Sequence, residues 1–63
     1  MTDFERVLIN RDNFTPAEAH SELLKARERV TSIIDHKGTY EDVAEFLEYY
    51  YMLEMDYIFD LLI

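Results

Sequence analysis

The apolar positions of this 63-residue chain follow a helical period over most of its length. Between about residues 16 and 36, Ala19, Leu23, Ala26, Val30 and Ile33 recur at spacings of four and three, and Ile34 widens the stripe. Glu22, Lys25, Glu28 and Arg29 flank it as a solvated face. This pattern predicts an amphipathic helix with one core-facing side, and the small Ala19 and Ala26 let a neighbouring element approach closely. From Tyr40 onward no Gly or Pro interrupts the chain, so a second helix is predicted over about 40–62, roughly 35 Å long. It carries two apolar seams. One is Val43, Phe46, Tyr50, Leu53 and Tyr57; beside it run Leu47, Tyr51, Met55, Ile58 and Leu62. A single packing partner needs a stripe only a little over ~100° wide, so two seams predict two partners: the first helix on one, and on the other the N-terminal segment, a second copy of the chain or a target protein.

Start and stop signals sharpen this outline. Thr15-Pro16-Ala17-Glu18 places Thr at the N-cap, Pro at the first helical position and Glu where its carboxylate reaches back to the Thr15 amide. Thr39-Tyr40-Glu41-Asp42 repeats the logic, with acids in the first turn where the helix dipole favours them. Lys37-Gly38 reads as the stop between the two helices, with Gly38 in the left-handed position. So short a link predicts an antiparallel hairpin. In the first 14 residues, Thr2-Asp3-Phe4-Glu5 is another capping box, and Phe4, Val7 and Leu8 share a helical face. Val7-Leu8-Ile9 also suits an extended segment. A short helix closing the open side of the hairpin is the preferred expectation. The whole is a single small all-α domain spanning residues 1–63.

Composition changes the picture in three ways. The chain has no cysteine, one glycine and one proline, which excludes a disulfide scaffold, a cysteine-ligated zinc module and a glycine-rich phosphate loop. Fourteen acids against six bases give a formal charge of −8, which argues against direct nucleic-acid binding through backbone phosphates. A chain near this length buries only ~60% of the surface its unfolded form exposes. With no cysteine and only two histidines, self-association into a bundle or partner binding is the expected source of extra stability. No apolar leader opens the chain, and the longest apolar run, Tyr49 to Leu53, is too short for a membrane span. A cytoplasmic location is expected, consistent with the absence of cysteine.

The charge is unevenly spread. Residues 15–38 balance four acids with four bases, whereas the segment from Tyr40 carries Glu41, Asp42, Glu45, Glu48, Glu54, Asp56 and Asp60 with no Lys or Arg. On a continuous helix six of these seven share one side, and Glu54 alone projects between the apolar seams. Glu54 is then expected either to reach water or to meet His20, Arg27, an arginine of the N-terminal segment or a group across a dimer interface. By register in the hairpin His20 is the nearest of these, and Arg27, on the apolar side of its own helix, could also pair elsewhere.

Candidate chemistry is sparse. Ser21 and Ser32 lie on polar helical faces, and His20 and His36 are too far apart to act together. Glu41, Glu45 and Glu48, or Asp56 and Asp60, have spacing that could hold a hard cation, but acids so placed usually form a solvated stripe. The Glu-x-x-His motif of di-metal bundles does not occur. No catalytic, cofactor or metal site is expected. The expected function is non-enzymatic: a small acidic regulator or inhibitor that binds a basic protein through its tyrosine-rich C-terminal helix. Glu45, Glu48, Tyr49, Tyr51, Met52, Glu54, Met55, Asp56, Ile58 and Phe59 form the candidate partner-binding surface. A homo-oligomeric structural subunit and a nucleic-acid mimic are the alternatives.

Overall fold

The computed structural model describes residues 1–62. The chain folds as helix α1 (Asp3–Asp12), helix α2 (Pro16–Asp35), helix α3 (Tyr40–Tyr51) and a closing 3₁₀ helix (Met55–Asp60), with no strand among the described residues. The all-α class and the N-terminal helix follow the predicted pattern.

All three α-helices begin with the same device. Thr2 accepts from the Glu5 amide at 3.2 Å while the Glu5 carboxylate takes the Thr2 amide at 3.0 Å. Thr15 and Glu18 do the same at 3.1 and 2.9 Å, and Thr39 and Asp42 at 3.3 and 2.8 Å. Each box satisfies two amides that a helix start leaves without an internal partner, worth roughly 1 kcal/mol per cap.

Helix ends are less faithful to local sequence. At the end of α2 the left-handed residue is Lys37, with φ of 64°, and not Gly38. The Lys37 amide donates to the Ile34 carbonyl at 3.0 Å and the Gly38 amide to the Ile33 carbonyl at 2.7 Å, the two bonds of a Schellman turn. Gly38 is needed there for close approach. A Cβ at this position would collide with Ile33 Cγ2 and lie 2.6 Å from the Ile33 carbonyl oxygen. The fold therefore uses the glycine for its missing side chain and leaves the unusual dihedral to its neighbour.

The predicted continuous helix over 40–62 does not form. α3 ends at Tyr51, and Met52 turns the chain in the left-handed region with φ of 52°. The Leu53 amide then folds back onto the Leu47 carbonyl at 3.2 Å. α1 ends the same way: Asn13 is left-handed, and the Phe14 amide reaches the Leu8 carbonyl at 3.1 Å. Asn tolerates that conformation well, whereas Met pays roughly 1–2 kcal/mol for it. The break is favoured because it carries Leu53, Ile58 and Leu61 back onto the core, where all three are buried. Burying each such side chain yields roughly 1.5–3 kcal/mol, more than the strain at Met52.

The core joins every element. Phe4 and Leu8 come from α1, Ala19, Leu23, Ala26 and Val30 from α2, Val43, Phe46 and Leu47 from α3, and Leu53, Ile58 and Leu61 from the C-terminal segment. The apolar stripe read on α2 is the buried one, except that Ile33 is half-buried and Ile34 is exposed. Most of the second seam expected of a long helix is thus covered within the chain, by α1 and α3: Leu47 and Ile58 are buried, Tyr51 and Met55 half-buried, and Leu62 stays exposed.

Candidate protein-interaction surface

The break separates Asp60 from the other five acids expected in one stripe, Glu41, Asp42, Glu45, Glu48 and Asp56, all of which are exposed. The Asp60 carboxylate turns inward and accepts the Phe4 amide at 3.1 Å, near the positive end of the α1 dipole. Its own carbonyl takes the Arg27 Nε–H at 3.1 Å, so Arg27 pairs here. Glu22, across on α2, accepts the Tyr51 hydroxyl at 2.8 Å, and burial together with this carboxylate pushes the Tyr51 phenol well above its usual range. These are fold-holding contacts. Glu41, Glu45, Glu48, Glu54 and Asp56 remain exposed.

Glu54 is not paired with His20. It sits exposed just before the 3₁₀ helix, because the chain has already left the α-helical path at Met52. His20 instead places Nδ1 3.2 Å from the Glu5 carboxylate, which is only 7% exposed. Hydrogen bonding from the Thr2 backbone, opposed by desolvation and aided by the Thr2 hydroxyl and His20, holds the Glu5 carboxyl below its ordinary value. Among the described residues no buried side-chain polar atom lacks a hydrogen-bond partner.

The ten residues expected at the partner surface do not share one face. Ile58 is buried in the core, Met55 packs half-buried against it, and Tyr51 is half-buried and engaged with Glu22. The other seven are exposed, with Tyr49 and Phe59 at 77% and Met52 at 79%. They divide among depressions, with Glu48, Met52 and Glu54 bordering one beside Met55. Glu45, Glu48 and Tyr49 line a groove between α2 and α3 together with Arg29, Phe46 and Tyr50. Glu54, Asp56 and Phe59 line a second depression between α1 and the 3₁₀ helix, beside Arg6 and Tyr57.

The α2–α3 groove has the more organised wall. Tyr49 stands edge-on to Tyr50 with ring centroids 5.1 Å apart, Tyr50 lies 5.3 Å from Phe46, Phe46 meets Tyr51 at 5.6 Å, and Tyr51 meets Phe4 at 5.0 Å. The exposed tyrosines are therefore the outer end of an aromatic chain rooted in the core. The Arg29 guanidinium sits 5.9 Å from the Tyr50 ring centroid, a cation over a ring face. Tyr50 and Arg29 were not among the residues expected here. Tyr50 lies one turn after Phe46 and so shares its core stripe in sequence; only the packing shows that α2 meets it with a guanidinium.

Among the described residues no group of three or more His, Asp or Glu is placed to hold a metal ion, and no helix is long and apolar enough to cross a membrane. No protein-family model, no curated protein and no solved structure matches this chain.

Proposed function

We propose that the protein is a small acidic regulator or inhibitor that works by binding a basic protein, with the outer face of α3 as its contact surface. One observation carries this reading: Tyr49 and Tyr50, 77% and 61% exposed, stand beside the exposed carboxylates of Glu45 and Glu48. Among the described residues neither carboxylate has an ion-pair partner or hydrogen bond. Large aromatic anchors ringed by charge of one sign are the composition of an interface core and rim. The aromatic chain behind the two rings lowers the ordering cost of binding, because the rings are already held. Uncompensated carboxylates speed encounter with a positive surface and disfavour a negative one. A basic enzyme or nucleic-acid-binding protein is the kind of target that fits, and in the latter case the carboxylates would compete with phosphates.

Self-association is the second reading, and it rests on a different patch. Ile34 and Leu62 are exposed and line a depression with Thr31, Asp35 and Leu61, none of which lines the α2–α3 groove. Sedimentation across a range of concentrations tests it.

For the leading reading, the immobilised chain is challenged with cell lysate at low and high salt, beside the variant carrying Glu45→Lys and Glu48→Lys. A basic protein retained by the native chain at ~0.1 M salt, released at ~1 M where the Debye length falls to about 3 Å, and lost with the charge-reversed variant, is the expected result. Retention that ignores both salt and charge reversal overturns the reading.

A further inference from the structure

Resting on the reading of α3 as the contact surface, we infer that the α2–α3 groove recognises an arginine side chain presented by the partner, stacked on Tyr49 and forked onto Glu45 and Glu48. The groove is shallow, with a volume of about 780 Å³, and its wall mixes rings with carboxylates. Asp42, Glu45 and Glu48 outnumber its single cation, Arg29. Asp42 is already committed to the Thr39 amide at 2.8 Å, which leaves Glu45 and Glu48 for an incoming charge.

Helical spacing puts these groups in reach of one ligand. Glu45 lies one turn before both Glu48 and Tyr49, so the two carboxylates and the phenol ring border the same strip of surface. The mode of capture is already present one ring away, where Arg29 lies over Tyr50. Tyr49 stands at 87° to Tyr50 and is the more exposed of the two, so its face remains open to a second cation. A guanidinium suits this arrangement better than an ammonium ion. It is planar, weakly hydrated and able to fork onto carboxylate oxygens while lying on a ring.

Charge complementarity also selects the occupant. A two-fold symmetric contact with a second copy would bring Asp42, Glu45 and Glu48 of each copy together with only one cation from each, Arg29, an excess of like charge that disfavours it. A nucleic acid would bring phosphates to the same carboxylates. A basic protein segment is the occupant that neutralises them.

The test uses the full chain, isotope-labelled, titrated with three helical peptides that are identical except for a pair of positions one turn apart, occupied by Arg, Lys or Gln. The arginine peptide is expected to shift the resonances of Phe46, Tyr49 and Tyr50, to bind several-fold more tightly than the lysine peptide, and to outbind the glutamine peptide by more. Tyr49→Ala is expected to weaken the arginine peptide about tenfold, a typical loss for an interface anchor. Glu45→Gln with Glu48→Gln is expected to weaken it similarly while leaving the circular dichroism unchanged. Equal affinity for the arginine and lysine peptides, with shifts spread over every exposed acid, overturns the proposal. So does native-like binding by Tyr49→Ala, or concentration-dependent shifts at Tyr49 and Tyr50 without peptide, which would assign the groove to a second copy. If the basic protein captured from lysate still binds Tyr49→Ala, the groove assignment fails while the broader reading of an acidic contact stands.

Discussion

The Arg11 guanidinium donates to the Tyr51 carbonyl oxygen at 2.6 Å, across 40 residues of sequence, and to the Met52 carbonyl at 3.1 Å. The last turn of α1 thereby caps the end of α3, placing a cation where the α3 dipole is negative. At the other end of α1, Asp60 from the closing 3₁₀ helix caps the Phe4 amide. α1 is thus clasped at both ends by partners distant in sequence. Asp12 holds the guanidinium in place, with bonds of 2.9 and 3.0 Å, and raises its proton affinity further.

Arg11→Ala is expected to destabilise the fold by about 1–2 kcal/mol, the value of two charge-assisted bonds at a partly exposed site. Arg11→Lys should recover only part of this, since an ammonium cannot fork between the two carbonyls in the same way. Urea unfolding of the three proteins measures both. A loss below a few tenths of a kcal/mol in Arg11→Ala would show that α3 stops at Tyr51 without this cap.

The break at Met52 makes a prediction of opposite sign from an unbroken helix. Glycine adopts the left-handed conformation without penalty, and Met52 is 79% exposed, so little packing is lost. Met52→Gly should therefore raise stability by up to about 1 kcal/mol, whereas in a continuous helix glycine would cost about 1 kcal/mol. Met52→Ile should lower it, because a β-branched side chain tolerates positive φ poorly. In thermal melting, the sign of the Met52→Gly change decides between the two backbones.

The turn after α2 separates two roles that one glycine is often assumed to fill. Lys37→Gly relieves the left-handed residue and is expected to stabilise by about 1 kcal/mol or less. Gly38→Ala brings a methyl group against Ile33 and its carbonyl oxygen, and is expected to cost about 1–3 kcal/mol. The opposite order of the two effects in denaturant titrations would return the positive dihedral to Gly38.

Acid sensitivity should be traceable to Glu5. Its carboxyl titrates below the ordinary value of 4.5 when folded, so its stabilisation is complete above that pH and is lost as pH falls through the folded value. Glu5→Gln is expected to be less stable than the native chain at neutral pH and to show a shallower decline below pH 4.5. Glu18 and Asp12 are lowered in the same direction, so the comparison is made as the difference between the two proteins across the pH range. Parallel acid curves for the native chain and Glu5→Gln would remove Glu5 as the cause.

What could be read from sequence follows the range of the forces involved. The threonine boxes at Thr2, Thr15 and Thr39 act over three residues, and Ala19, Leu23, Ala26 and Val30 make a stripe whatever lies opposite; local order and periodicity determined the three helix starts, the core face of α2 and the all-α class. Nothing local marks Met52, where no glycine or proline stands and helix propensity continues beyond it. The tertiary structure decided that break, because only folding brings Arg11 to the Tyr51 carbonyl and opens space on α1 for Leu53, Ile58 and Leu61. The candidate site divides along the same line. Tyr49, Glu45 and Glu48 belong to a helix set by its own cap, and they remain together on its outer face. Tyr51 shares that helix but is turned toward Phe4 and Glu22 by the packing of α1 and α2, while Met55 and Ile58 depend on what the chain does at Met52, and the burial of apolar surface draws them inward.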